Sequence, residues 1–234
     1  MKTIGLIGGM TWESSIEYYK IINETVWRKL GGSHSAQCLM YSVDFDPVQE
    51  CQRRGKWSDA ASILTDAARR LEKGGADFIV ICANTMHKLV PEVERHIKIP
   101  ILHIADVTAQ AIKKEKLRKV GLLGTRFTME EGFYKDRLVQ KHGLGVIIPG
   151  KKDRELIHRV IYGHISSGHI DQASRNAFRK AIDDLAARGA EGIILGCTEI
   201  FLFVKQKDYK IPLFDTTRIH AEAAVEYALA ENPK

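Results

Sequence analysis

Two stretches of the chain share one pattern: GGADFIVICANT at residues 74–85 and RGAEGIILGCTE at residues 188–199. Each is typical of a helix end followed by a short apolar strand and a polar turn. The two stretches lie at a constant offset, which aligns Ala83 with Cys197. The pattern therefore indicates two related halves, of which only the second carries a thiol at this position.

Two further pairs of segments support the repeat. IGLIGGMT at 4–11 matches VGLLGTRF at 120–127, and KIPILHIAD at 98–106 matches KIPLFDTTR at 210–218. Three matches in the same order indicate an internal duplication. The alternative is that any parallel α/β protein repeats strand, turn and helix units.

Short apolar runs alternate with helical stretches along the whole chain, as expected of parallel strands covered on both faces. Predicted strands span 3–7, 37–43, 77–82, 100–104, 118–123, 144–148, 192–196 and 211–215. We expect an α/β fold of two pseudo-symmetric domains, each a mainly parallel four-stranded sheet flanked by helices, with an active site in the cleft between them. Residues 1–104 plus 214–234 would form the first domain, and 105–213 the second.

Helix signals accompany the strands. Thr128 and Glu131 have capping-box character and predict a helix start at that point. One face of the helix after the first strand is mostly apolar and is formed by Ile16, Tyr19, Asn23, Val26 and Leu30. We expect the aromatic residues of this helix to be packing residues, and these are Tyr18, Tyr19 and Trp27.

Composition excludes several classes of protein. The chain has 234 residues, of which 44% are hydrophobic and 27% charged, and no apolar run approaches the ~18 residues of a membrane span. The opening MKTIGLIGGM lacks a secretory signal pattern, so we expect a cytoplasmic protein without a membrane partner. The net charge of +6 comes from scattered Lys and Arg, which favours solvated helix faces over a nucleic-acid surface. That charge would attract a small acidic substrate.

The cysteines and glycines exclude the common cofactor motifs. No C-x-x-C pair occurs among Cys38, Cys51, Cys82 and Cys197, so neither a zinc site nor a disulfide framework is indicated. Neither G-x-G-x-x-G nor G-x-x-x-x-G-K-[ST] is present, which argues against dinucleotide and nucleoside triphosphate sites. We therefore expect no metal site, and neither a dinucleotide nor a nucleoside triphosphate as cofactor.

Four strand-to-helix turns carry the candidate chemistry, because ligands of α/β sheets gather at the carboxyl ends of strands. The turns span 8–11, 83–85, 124–126 and 196–199. Cys197 follows a strand at the expected start of a helix, where a thiol pKa falls below its usual value, so we predict a catalytic base. Cys38 and Cys51 are interpreted as inert.

ANTMH at 83–87, GCTEI at 196–200, the opening IGLIGGMTWES and the paired KIP strands resemble the aspartate/glutamate racemase family over essentially the whole chain. The chain is more similar to the aspartate racemase and broader branch, since the cell-wall glutamate racemases carry aspartate and serine where this chain has Gly8 and Gly9.

The resemblance implies a homodimer and a cofactor-independent mechanism in which two cysteines exchange the α-proton of an amino acid on opposite faces. The first cysteine of the family corresponds to Ala83, which cannot transfer a proton. Cys82 is one residue earlier, on the other face of the strand, and we expect it to be buried.

Several residues are candidates for binding an aspartate- or glutamate-like substrate. Asn84, Thr85 and Thr198 would donate to its carboxylate. Gln52, Arg53 and Arg54 would meet a distal carboxylate, with surface charge as the alternative for both arginines. His87 either orients site groups or packs on its helix. The remaining candidates in the turns are Met10, Thr11, Thr125, Thr128 and Glu199.

Three functions remain open at the level of the sequence. The first is a racemase whose second face is impaired, or is completed by a threonine, a histidine or water. The second is a single-cysteine decarboxylase similar to the arylmalonate decarboxylases. The third is a non-catalytic protein that binds an amino acid or a dicarboxylate.

Overall fold

The computed structural model describes residues 1–167 and 171–230 and divides the chain into two compact units. One unit is Met1–His103 with His220–Lys234, and the other is Ile104–Ile219. The sequence places the domain boundaries after residues 104 and 213. In the structure the units change after His103 and Ile219, so the last strand and the first turn of the final helix stay with the second unit.

The first unit is a parallel sheet covered by helices. Its sheet has the order β2-β1-β3. The elements are β1 (Ile4–Gly8), α1 (Trp12–Leu30), β2 (Cys38–Ser42), α2 (Phe45–Arg54), α3 (Trp57–Lys73), β3 (Phe78–Ile81) and α4 (Val90–Val93).

The second unit also contains a parallel sheet, in the order β5-β4-β6-β7, which confirms the four strands predicted there. Its elements are α5 (Ile104–Lys114), β4 (Lys119–Gly124), α6 (Arg126–Glu130), α7 (Gly132–Asp136), β5 (Gly145–Ile147), α8 (Lys151–Ser167), α9 (Gln172–Ala187), β6 (Gly192–Gly196), β7 (Leu213–Asp215) and the start of α10 (Thr216–Leu229). The predicted α/β class with parallel sheets is therefore confirmed.

The prediction of a fourth strand in the first sheet, at 100–104, is wrong. The segment forms a single bridge between Ile79 and Ile101. Ile79 donates its N–H to Pro100 and accepts one from Leu102, at 2.8 and 2.9 Å. The chain turns into α5 directly afterwards, so the ladder does not extend.

The two sheets share one register. Ile7 pairs with Ile81 in the first sheet and Leu123 pairs with Leu195 in the second, and the internal repeat aligns these same residues. The flanking backbone hydrogen bonds repeat as well. Asp77 donates its N–H to the Thr3 carbonyl as Glu191 does to that of Lys119, and Ile79 donates to Pro100 as Ile193 does to Pro212. The repeat seen in the sequence is therefore matched by the backbone hydrogen bonds of both units.

The end of β3 separates two neighbouring side chains onto opposite faces of the sheet. Ala83 packs with Ile79 and Ile81 on the α3 side, whereas Cys82 packs with Val80 on the other side. Cys82 is fully buried, and burial raises its pKa well above the usual value. The expectation that Cys82 is a packing residue is confirmed.

The apolar face predicted for α1 is only partly a core face. Tyr18 and Val26 are fully buried, but Tyr19 and Trp27 are more than half exposed, so their assignment to packing is wrong. The helix buries a different stripe, formed by Ser14, Tyr18, Ile21, Ile22, Thr25 and Val26. Within the described ranges, no helix has both the length and the apolar character needed to span a bilayer.

Gly196→Ala is expected to lower the free energy of unfolding by about 1–3 kcal/mol, because the protein would have to shift to admit a methyl group. A Cβ atom at Gly196 would lie 2.8 Å from the Leu123 carbonyl oxygen. The matched control is Gly163→Ala in α8, where a Cβ meets nothing within 4 Å. Urea unfolding should show the control unchanged or stabilised by up to ~1 kcal/mol; equal stability of both variants contradicts the packing argument.

Candidate active site

The turn after β1 is held closely against the start of α2. Gly9 has a φ of 91°, and a Cβ there would lie 2.1 Å from the Val43 carbonyl oxygen, so only glycine fits. The Gly9 N–H donates to Ser15 Oγ at 2.8 Å. Thr11 caps α1, and both Met10 and Thr11 are buried.

The turn after β3 lies beside the turn after β1, because Cys82 donates its N–H to the Ile7 carbonyl at 2.9 Å. Ala83 belongs to the same buried cluster as Met10 and Met86. Asn84 and Thr85 follow in a 3₁₀ turn and are buried. The structure thus gathers five predicted site positions of the first unit at one end of its sheet: Met10, Thr11, Ala83, Asn84 and Thr85.

His87 holds the backbone at position 83. Its Nδ1 lies 2.8 Å from the Ala83 carbonyl oxygen, which can only accept, so Nδ1 carries the proton. The rings of His103 and His220 lie 4.8 and 5.5 Å from the His87 ring, between centroids. His87 therefore fits both alternatives predicted from the sequence. Its ring packs against other side chains, and its hydrogen bond orients the turn.

No sequence motif points to the other residues of this histidine group. Tyr18 Oη lies 2.8 Å from His220 Nδ1, and His220 Nε2 donates to the Leu102 carbonyl. Burial, followed by the charge of His87, lowers the pKa of His220 to about 3. The His220 ring is therefore neutral at physiological pH. Its two hydrogen bonds link Tyr18 to the Leu102 carbonyl.

The three polar residues predicted on α2 behave differently from one another. Gln52 is buried and its Nε2 lies 3.0 Å from Met86 Sδ, which ties α2 to the turn after Ala83. Arg53 and Arg54 both pair with Glu50 on the exposed side of α2. The structure supports the alternative of surface charge for these arginines, because their guanidinium groups already have a carboxylate partner.

In the second unit, Gly124 of β4 pairs with Gly196 of β6. Thr125 and Cys197 are the residues that follow these two glycines. Thr125 caps α6 by accepting the Thr128 N–H at 3.3 Å, and the two threonine hydroxyls lie 3.2 Å apart. The predicted helix start at Thr128 is wrong. Thr125 is the cap, and Thr128 is the third residue after it.

The turn after β6 places a thiol against a carboxylate. Cys197 Sγ donates to Glu199 Oε2 at 2.8 Å, and Thr198 Oγ1 donates to the same oxygen at 3.0 Å. All three side chains are buried. In this arrangement the hydrogen bond from the Thr198 hydroxyl helps to hold the Glu199 carboxylate in position.

The expected fall in the pKa of Cys197 is wrong. Burial, the charge of Glu199 and the hydrogen bond to Glu199 raise the pKa of this thiol well above its usual value. The backbone N–H groups of Glu199 and Thr198 oppose the rise without cancelling it. The chain forms only a short 3₁₀ turn after Glu199, Ile200–Leu202, so no long helix dipole stabilises a thiolate.

Helix α8 brings Tyr162 to this turn and His158 to the turn after β4, and the sequence singles out neither residue. The pKa of Tyr162 is raised by burial and then by the charges of Cys197 and Glu199. The His158 ring lies 4.6 Å from the Tyr162 ring, and its Nδ1 accepts the Arg126 N–H at 3.2 Å. Burial and the charge of Arg126 lower the pKa of His158, which favours a neutral ring.

Most of the chain matches the model of one known protein family. The Asp/Glu/Hydantoin racemase model matches residues 7–224, a range that contains all four turns. The chain belongs to this racemase family. The resemblance drawn from ANTMH and GCTEI is thereby confirmed at the level of the family.

Solved structures agree with this racemase assignment. A putative Asp/Glu racemase from Yersinia pestis is 52% identical, with a TM-score of 0.92, and the match covers 98% of this chain and all of the other. An aspartate racemase homologue from Pyrococcus horikoshii OT3 is 35% identical, with a TM-score of 0.84 and coverage of 98% and 100%. A broad specificity amino-acid racemase from Bacillus subtilis is 27% identical over 97% of this chain and 98% of its own length.

Glu199→Gln is expected to lower the pKa of the Cys197 thiol, because it removes the negative charge that disfavours the thiolate. Ultraviolet titration of the thiolate, in a background with Cys38 and Cys51 replaced by serine, measures this pKa. Cys197→Ser in the same background identifies the signal. A wild-type thiolate that already forms near neutral pH contradicts the electrostatics described above.

Proposed function

We propose that this racemase-family chain transfers the α-proton of an aspartate- or glutamate-like amino acid through Cys197, without a cofactor. The observation that carries the proposal is the hydrogen bond from the Cys197 thiol to Glu199, at 2.8 Å. A buried thiol that already donates to a carboxylate has a built-in proton acceptor. Family membership supports the class of reaction.

The proton path starts from a protonated thiol, because the pKa of Cys197 is raised. Glu199 Oε2 takes the thiol proton while Sγ takes the proton from the substrate Cα. The electron pair left on Cα delocalises into the adjacent carboxylate, which becomes enolate-like. Protonation reverses these steps, so the thiol and the carboxylate return to their initial states.

Charge that develops on the substrate carboxylate needs nearby donors. We assign this role to the predicted polar groups of the turns, with Thr125 and Thr128 beside Cys197 in the second unit. Asn84 and Thr85 are the proposed donors of the first unit. Gln52 is proposed to bind next to them, since its contact with Met86 fixes it beside their turn.

The proposed reaction is one-sided. Inversion requires an acid and a base on opposite faces of Cα. The Ala83 methyl group can neither donate nor accept a proton, and Cys82 faces the other side of the sheet. We therefore propose that Cys197 removes and returns a proton on one face, and that complete inversion is slow.

Cys197→Ala is expected to lower α-proton exchange with solvent by about 10²-fold or more, because it removes the proton carrier. Cys82→Ala is the matched control, since it removes a thiol that is buried in the core, and it should leave the exchange rate within about twofold once folding is verified. Exchange can be followed by NMR with L- and D-aspartate and glutamate. If Cys82→Ala abolishes exchange and Cys197→Ala does not, the thiol has been misassigned.

Ala83→Cys is expected to raise the rate of full inversion by about 10²-fold or more, because it supplies a second proton carrier. Chiral chromatography of the product measures inversion, and Ala83→Ser provides a variant of similar size with a weaker acid. An unchanged inversion rate in a folded Ala83→Cys protein contradicts the assignment of position 83 as that of the missing base.

A second candidate function rests on the protonated state of Cys197. A thiol of raised pKa is suited to protonating an enolate formed by loss of carbon dioxide, and that reaction needs one proton donor. Release of carbon dioxide from α-aryl malonates, without exchange of aspartate or glutamate, would favour this decarboxylase. Saturable binding of these amino acids with neither reaction would favour a binding protein.

A further inference from the structure

A cationic pocket of the second unit lies at the amino ends of β4 and β5, where Arg118 precedes one strand and Leu144 precedes the other. It encloses about 370 Å³. We call this cavity the basic pocket. The six residues of β4 span about 20 Å and end at the turn that carries Thr125. The basic pocket therefore lies at the opposite edge of the sheet from Cys197 and Glu199.

Three side chains give the basic pocket its positive charge. Lys113 and Lys116 come from the end of α5 and the turn after it, and Arg118 directly precedes β4. All three are exposed, and none forms an ion pair with a described residue. The segment 113–119 contains five basic residues and one acidic residue. Part of the positive charge of the chain is therefore concentrated at this pocket.

The carboxylates next to the basic pocket already have partners. Asp106 of α5 accepts two hydrogen bonds from Arg137 and one each from Lys141 and His142, at 2.7–2.8 Å. Arg137 and Lys141 alone bring more positive charge than this one carboxylate neutralises. Glu191 Oε2 accepts two backbone N–H groups at the start of β4, at 2.6 and 2.9 Å. The pocket therefore keeps an excess of positive charge.

Lys116 is held in a conformation that glycine adopts more easily. Its φ is 60°, whereas every other described residue with a positive φ is a glycine. It ends α5 in a Schellman motif, in which Lys116 donates its N–H to the Lys113 carbonyl and Leu117 donates to that of Ile112, at 3.0 and 3.3 Å. A Cβ atom disfavours this conformation. A residue kept in such a conformation, at the wall of a cavity, indicates a use for its side chain.

We propose that the basic pocket binds a small phosphate ester. Lys113, Lys116 and Arg118 can each give a charge-assisted hydrogen bond to a phosphate oxygen. Two of these cations are lysines, whose rotatable ammonium groups can meet a tetrahedral anion from any side, whereas planar carboxylates favour the fork of arginine. Leu117 and Leu144 add an apolar wall, which favours an ester over inorganic phosphate.

The shape and lining of the basic pocket favour a small ligand over a nucleic acid. Its volume of about 370 Å³ falls in the range of small-molecule sites, ~300–1,000 Å³. No Phe, Tyr or Trp is among the described residues that line it, so bases would find no stacking surface. His142 adds a polar group, because Asp106 holds its Nε2 and leaves Nδ1 for a ligand. Binding here is independent of the proton transfer proposed above, because the two share no residue.

Isothermal titration calorimetry on the full chain tests the basic pocket, with phenyl phosphate, inorganic phosphate and citrate at one ionic strength. We expect one phenyl phosphate per chain, bound about threefold or more tighter than inorganic phosphate. Lys113→Gln and Arg118→Gln should each weaken binding about tenfold, because each removes a charge-assisted hydrogen bond. Lys210→Gln is the matched control, since Lys210 is exposed in the same unit outside the pocket. It should leave the affinity within about twofold.

Lys116→Gly separates binding from folding. We expect it to weaken phenyl phosphate binding about tenfold and to raise Tm by up to ~4 °C, because glycine adopts a positive φ without strain. A purely structural Lys116 would change Tm alone.

Four results would overturn the proposal. The first is no saturable binding of phenyl phosphate, and the second is binding that survives the substitutions at Lys113, Lys116 and Arg118. The third is citrate binding as tight as that of phenyl phosphate. The fourth is tighter binding of a short single-stranded RNA that the same substitutions abolish, because the pocket would then serve a nucleic acid.

Discussion

The parallel pairing of β1 with β3 and of β4 with β6, in one register, is the constraint on which the candidate site depends. It ends two strands at the same level in each unit, so that the turns after them lie side by side. At the β4–β6 pair the constraint is severe, because a Cβ at Gly124 would lie 2.7 Å from the Gly196 carbonyl oxygen. Thr125 and Cys197 are brought together because these two glycines allow the strand ends to approach.

The same backbone carries different chemistry in the two units. In the second, the turn presents a thiol that donates to a buried carboxylate, with Tyr162 close enough for its pKa to respond to both. In the first, the corresponding position is a methyl group, and the carbonyl of that residue accepts a bond from His87. The turn of the second unit therefore holds a titratable thiol next to a carboxylate, whereas the turn of the first unit holds a methyl group that cannot titrate.

The sequence predicts those parts of the molecule that depend on local pattern. Seven of the eight predicted strands, the turns after them and the burial of Cys82 follow from apolar periodicity and the repeat, whereas 100–104 forms only a single bridge. The sign of the pKa shift of Cys197 does not follow from that pattern, because it depends on burial and on a carboxylate whose direction only the folded turn determines. The histidine group next to Ala83 cannot be predicted from local sequence pattern either, since His220 lies far from His87 and His103 along the chain. Exposure of Tyr19 and Trp27 was missed because helical periodicity gives the faces of α1 but does not say which face meets the sheet.

The asymmetry between positions 83 and 197 is most directly tested by α-proton exchange in deuterium oxide, with each enantiomer of aspartate and glutamate supplied separately. We expect one enantiomer to gain α-deuterium with its configuration retained, much faster than either enantiomer inverts. Deuteration of both enantiomers, accompanied by inversion at the same rate, would contradict it, because a second proton carrier would then be at work.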